Sequence, residues 1–122
     1  MIAEFRGLRT NGGGWVYGSH IHCEIDGDMI KPFDSLIEYD VIPETVGQYT
    51  ELDDLNEKKI FAGDKIINKR KPGDVGEVVF WSGAFRVRWQ RHPMDYLAYA
   101  WRDNEVIGNI HQEFDDLLFL RA

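Results

Sequence analysis

Turn-forming residues recur so often along this chain that it divides into brief segments, most of them alternating in hydropathy. Thr10-Asn11-Gly12-Gly13-Gly14, Asp26-Gly27, Pro32-Phe33-Asp34, Gly63-Asp64, residues 69–74, Ser82-Gly83 and Arg102-Asp103-Asn104 are the main breaks. Glycine reaches positive φ without a Cβ clash, and Asp, Asn and Ser side chains bond nearby backbone groups, so such clusters turn the chain. Period-two alternation between them argues for half-buried strands.

Residues 2–5 can form a first strand. Residues 15–25 place Trp15, Tyr17, Ser19, Ile21, Cys23 and Ile25 on one face, expected to meet the core. Val16, Gly18, His20, His22 and Glu24 fall on the other, expected to be solvated. Gly18 suggests a bulge or bend. Asp26-Gly27 signals a hairpin into Met29-Ile30. Residues 35–42 predict a strand ended by Pro43. Gly63-Asp64 separates two apolar runs, a barrel corner of the SH3-like kind, and a strand over residues 65–68 follows. Residues 75–81 and 84–89 form the clearest hairpin, joined by Ser82-Gly83. Residues 96–101 and 106–110 read as the last strands. Residues 112–120 carry the one helical pattern, with Phe114, Leu117 and Leu118 on one face. The expected fold is all-β and barrel-like, with about eight to ten short strands and one short C-terminal helix, in a single domain over residues 1–122.

Composition narrows the function classes. An apolar share of 43% suits a globular chain and argues against disorder. No run approaches the roughly 18 apolar residues of a membrane helix. Glu4 stands where a secretory leader would be basic, so no leader is expected. Cys23, the single cysteine, cannot form an internal disulfide, which favours a reducing compartment. The net charge of −7 is unevenly spread: residues 58–92 carry nine Lys and Arg against three Asp and Glu, and the flanks are acidic. The overall sign opposes tight non-specific nucleic-acid binding, while the basic middle allows a local patch.

Residues 46–66 read VGQYTELDDLNEKKIFAGDKI. This stretch resembles the signature of the YopX family of small phage and prophage proteins, roughly V-G-Q-Y/F-T-G-L-x-D-x-N-G-K-x-I-Y/F-x-G-D. Val46, Gly47, Gln48, Tyr49, Thr50, Leu52, Asp54, Asn56, Lys58, Ile60, Phe61, Gly63 and Asp64 match it. Glu51 and Glu57 stand where the pattern has glycine, and a non-glycine residue held there at positive φ would be strained. Glu105-Val106-Ile107-Gly108-Asn109-Ile110 and Trp15-Val16-Tyr17-Gly18 extend the likeness. The resemblance implies a phage or prophage accessory protein in a bacterial cytoplasm, with no molecular activity to carry over.

Several constellations could carry chemistry. His20, His22 and Glu24 at alternate strand positions could hold zinc or iron; the alternative is a solvated strand face. The spacing from Gly14 is also similar to a cupin's first metal motif, with Asp26 in place of its glutamate, but no second motif follows. Cys23 as a nucleophile would need a nearby base; a buried structural thiol is the plainer reading. Glu51, Asp53, Asp54 and Glu57 lack the calcium-loop pattern. Lys65, Lys69, Arg70, Lys71, Arg86, Arg88 and Arg91 interleave with Trp81, Phe85 and Trp89, a surface on which small barrels stack bases and track phosphates. The alternative is an exposed face that meets the acidic flanks within or between subunits. The expectation is therefore a non-enzymatic module without a cofactor, binding itself or an unknown phage or host protein, with single-stranded nucleic acid or a metal-dependent activity as rival readings and no membrane partner.

Overall fold

The computed structural model describes residues 2–99 and 101–112. Eleven strands run through the described residues: β1 Phe5–Leu8, β2 Trp15–Cys23, β3 Gly27–Lys31, β4 Tyr39–Val41, β5 Gly47–Asp53, β6 Lys59–Phe61, β7 Asp64–Asn68, β8 Gly76–Trp81, β9 Ala84–Trp89, β10 Asp95–Tyr96 and β11 Asn104–Asn109. Short 3₁₀ turns at Pro43–Thr45 and Trp101–Asp103 complete the set. The all-β expectation holds, with one strand more than the upper estimate. The predicted helix over residues 112–120 lies, past Gln112, outside the described residues. No helix among the described residues is long and apolar enough to cross a membrane.

The described residues form two compact units, residues 2–48 with 111–112, and residues 49–99 with 101–110; the chain passes from one to the other within β5. In the first unit the order is β4-β3-β2-β1, with the start of β5 beside β1, all antiparallel. Its core is Val16, Ile30 and Val41, flanked by Phe5, Tyr39 and Val46. This reverses the expected faces of β2. Val16 and Gly18 are buried, while Tyr17 is 44% and Ile25 93% exposed. Trp15, Tyr17 and Ile21 make the odd-numbered face the more apolar, so alternation points to the wrong side, while the backbone at Gly18 closes on Lys31. A Cβ there would sit 2.1 Å from the Lys31 carbonyl oxygen, so only glycine fits. The pairing partner of β2 changes at the same point, from β1 over residues 15–18 to β3 over residues 19–23.

Two strand boundaries also move. The strand expected over residues 35–42 is confined to β4, because Ser35 turns the chain: its amide donates to the Pro32 carbonyl and its Oγ accepts the Ile37 amide. The strand expected over residues 2–5 begins at Phe5 and runs on to Leu8, which is fully buried.

The second unit is a five-stranded antiparallel sheet, β10-β9-β8-β7-β11, open at both edges rather than closed into a barrel. The end of β5 pairs with β6. One core joins them: Ile60, Ile66, Val78, Val87, Trp89 and Leu97, with Leu52, Phe85 and Val106 packed against it. Gly76 allows Trp89 to lie across β8, since a Cβ there would sit 2.4 Å from Val87 and 2.9 Å from Trp89. The β8–β9 hairpin forms as read, and Ser82 and Gly83 both take positive φ, as a two-residue type I′ turn demands.

Glu51 and Glu57 adopt φ of 66° and 63°. The backbone therefore keeps a glycine conformation with glutamate in place. At Glu51 the β5–β6 register shifts, and Thr50 Oγ1 bridges the break, donating to the Ile60 carbonyl and accepting the Leu52 amide. A left-handed L-residue costs about 1–2 kcal/mol, and glycine's greater unfolded-state freedom offsets part of that. Glu51→Gly and Glu57→Gly should each raise stability by about 0.5–1 kcal/mol. Urea midpoints that fall in both variants would contradict this.

Candidate binding face

Strand alternation divides the β8–β9 hairpin cleanly. Gly76, Val78, Val87 and Trp89 turn inward and are buried. Glu77, Val79 and Trp81 pair with Arg88, Arg86 and Ala84 on the outer face. There Trp81 is 64% exposed. Arg86 Nε donates to the Trp81 carbonyl at 3.0 Å, and its guanidinium lies 4.5 Å from the centre of the Tyr96 ring. Arg88 sits 3.6 Å from Glu77, a loose and exposed pair of small energetic weight. The structure thus brings Trp81, Arg86 and Arg88 together and adds Tyr96, which the sequence reading had placed in a strand without a role.

The remaining predicted members of this face are elsewhere. Trp89 is 7% exposed and belongs to the core; its indole N–H donates to Asp95 Oδ1 at 3.1 Å. It is not a stacking platform, because alternation from Arg88 sends it inward. Phe85 packs against the core and makes an edge-on contact with Phe80 at 5.1 Å. Lys71 pairs with Asp95 at 3.0 Å and lies over the Trp89 ring, while Arg70 pairs with Asp103 at 3.1 Å. Lys69 and Arg91 stay on exposed loops.

Beside Tyr96 lies an apolar groove of about 400 Å³, lined by Leu52, Phe85, Tyr96, Leu97, Ala98 and Tyr99 among others. Leu97 is fully buried at its floor; Tyr99, 67% exposed, meets Tyr96 edge-on at 5.6 Å. Its signal in the sequence was the Tyr96–Tyr99 spacing, hidden because the segment was read as a strand. The pairing stops at Tyr96, and a turn from the Tyr99 amide to the Tyr96 carbonyl follows.

The histidines of β2 have a partner that sequence reading missed. His20 Nε2 lies 2.8 Å and His22 Nδ1 2.6 Å from the two oxygens of Asp28. The carboxylate is ionised, so both rings donate. Register explains it: the Asp26-Gly27 hairpin puts His22 opposite Asp28. Glu24 sits exposed in the turn and takes no part. The hydrogen bonds from His22 and then His20 hold the Asp28 carboxyl below its ordinary range, against the effect of burial. Among the described residues no three His, Cys, Asp or Glu side chains form a metal-holding group. The expected solvated face holds at His22, whose side chain is 64% exposed, and is corrected at His20, which is 24% exposed on the core side; both bond Asp28. Cys23 is not buried as read; it is half-buried, with Sγ 3.7 Å from Asp26.

A family model described as YopX protein matches residues 4–117. The chain belongs to the YopX family. No curated protein matches it. YopX is not a known enzyme family, and membership supports a small phage-type protein of unknown function.

The YopX signature acids have structural work. Asp54 Oδ1 accepts the Asn56 and Lys58 amides at 2.8 and 2.9 Å, and Oδ2 accepts Val106 at 2.9 Å. It ties the β5–β6 turn to the second signature segment. Burial works to raise its pKa, but these backbone bonds outweigh it, so the carboxyl titrates below its usual value. Asp64 Oδ2 accepts the Phe61 amide at 2.8 Å and closes the Gly63 corner. Outside the signature, Asp74 has a fully buried side chain. It accepts the Val75, Gln90 and Arg91 amides and His92 Nδ1. Burial again works upward and the His92 and backbone bonds prevail, so its pKa is lowered.

Asp54→Ala strands three amides and should cost about 2–3 kcal/mol by urea unfolding. For Asp74 the folded pKa lies below the unfolded one. Its stabilisation is therefore full above the usual value of 3.8 and lost as pH falls through the folded value. The wild-type urea midpoint should drop on acidification with a steeper slope than that of Asp74→Asn. Equal slopes would contradict the assignment.

Proposed function

We propose that this YopX chain is a phage or prophage accessory module that acts by binding, chiefly to further copies of itself, and not by catalysis. One observation carries the reading: Trp81, Tyr96 and Tyr99 stand 64%, 41% and 67% exposed and are joined through Arg86, which bonds the Trp81 carbonyl and lies over the Tyr96 ring, while Tyr99 meets Tyr96 edge-on. Monomeric proteins rarely leave large contiguous aromatic surface uncovered, and such surface marks an interface. Arg86 and Arg88 flank it, while residues 1–57 carry twelve Asp and Glu against three Lys and Arg. Opposite charges on identical chains steer association. Assembly would take place in the cytoplasm of the bacterial host.

Sedimentation velocity at tens of micromolar and low salt should show oligomers that dissociate as salt rises. A monomer throughout would end this reading.

A second reading is favoured by Trp81 alone: an exposed indole beside two arginines can stack a base and hold its phosphate. If single-stranded nucleic acid is the partner, oligonucleotide should quench tryptophan fluorescence in a salt-sensitive way. Trp81→Ala should then weaken binding about tenfold, since a stacked base contributes about 1–3 kcal/mol. Unchanged fluorescence at low salt would exclude it.

A further inference from the structure

We infer that the contact between copies is head-to-tail, with the turn over residues 33–38 of one copy seated in the groove beside Tyr96 and Tyr99 of the next. This rests on the self-association reading above and names the two surfaces that meet. The turn is built to be inserted. Leu36 is 97%, Ile37 60% and Phe33 46% exposed, although leucine and isoleucine are among the residues most often buried. The turn is nonetheless fixed, by the Ser35 amide on the Pro32 carbonyl at 3.1 Å and the Ile37 amide on Ser35 Oγ at 2.9 Å. A loop already held in one conformation loses little freedom when it docks.

The groove is the complementary surface. It is about 400 Å³, apolar, floored by Leu97 and walled by Phe85 and Tyr99, a volume within the range of ordinary ligand sites. Charge also matches. Asp34, Glu38 and Asp40 are exposed around the inserted apolar pair, and Arg86 lies against Tyr96 at the edge of the groove. Turn and groove are different patches of one chain. Each copy therefore offers one and receives one; passed onward head-to-tail the contact closes into a ring or continues as a filament, whereas a wild type that stops at a reciprocal two-fold dimer would overturn the head-to-tail arrangement.

Complementation tests this with the full chain. Leu36→Ser/Ile37→Ser removes the inserted side chains, and Tyr99→Ser removes a groove wall; all three residues are exposed, so circular dichroism and thermal midpoint should match the wild type. By sedimentation velocity in low salt, wild type should grow past the dimer with concentration. Each variant alone should associate at least about tenfold more weakly, as expected for anchor residues. An equimolar mixture of the two variants should give heterodimers and nothing larger, because one intact turn faces one intact groove. If wild type assembles but the turn variant assembles equally well, or the mixture stays monomeric, the head-to-tail contact is wrong while self-association stands. If wild type is itself monomeric, both fall.

Discussion

Carboxylates removed from water and turned onto backbone amides organise the second unit of this protein. An isolated buried carboxylate is very unfavourable, and it is tolerated only where donors surround it. Asp54, Asp64 and Asp74 each meet that condition at a place where the chain reverses. The amides they satisfy include those of Asn56 and Val75 outside the strands, which would otherwise need water, and the strand amides of Phe61 and Val106. Asp54 reaches 52 positions along the chain to Val106, and Asp74 reaches 17 to Arg91. The same groups therefore fix local turn geometry and bring distant segments together. A buried Asn68–Asn104 hydrogen bond at 2.7 Å adds a neutral tie of the same kind between β7 and β11.

Much of this architecture was legible because turn chemistry is local. Gly63-Asp64, Asp26-Gly27 and Ser82-Gly83 each sit at the reversal that their residue types demand. The strained positions were legible too: Glu51 and Glu57 replace glycines of the signature, and both keep positive φ. The faces of β2 were not legible. That strand carries Trp15, Tyr17 and Ile21 on one side and Val16 on the other, so hydropathy favours the wrong side. The decision came from packing of the Gly18 backbone against Lys31, a contact between segments that no local pattern records. The exposed turn over residues 33–38 misled for a related reason. Leu36 and Ile37 read as strand because apolar residues usually are buried, and here they are not.

The candidate face was half legible. Alternation correctly separated Arg86 and Arg88 from Val87, and Trp81 did emerge on the arginine side. The same alternation should have removed Trp89 from the surface set, since it follows Arg88 by one residue. Counting basic and aromatic residues without assigning faces joined two sides of one sheet. Asp28 was missed because a residue was sought on the same strand as His20 and His22. Antiparallel pairing supplies partners from the next strand, and the hairpin turn sets which ones.

The YopX signature and the candidate interface are largely separate sets of residues, meeting only where Thr50 and Leu52 line the groove. Ile60 and Phe61 are core, Thr50 bridges a break in the β5–β6 pairing, and Asp54 and Asp64 hold turns. Their side chains spend their contacts internally, so they specify how the chain folds and have little surface left with which to select a partner. Leu36, Trp81, Arg86 and Tyr99 lie outside the matched signature positions and carry the exposed apolar and charged surface. A scaffold fixed by buried acids lets such surface residues change without disturbing the turns that display them. Fold and partner choice are thus written in largely different parts of the chain, and apart from Thr50 and Leu52 in the groove wall a match to the signature informs the first more than the second.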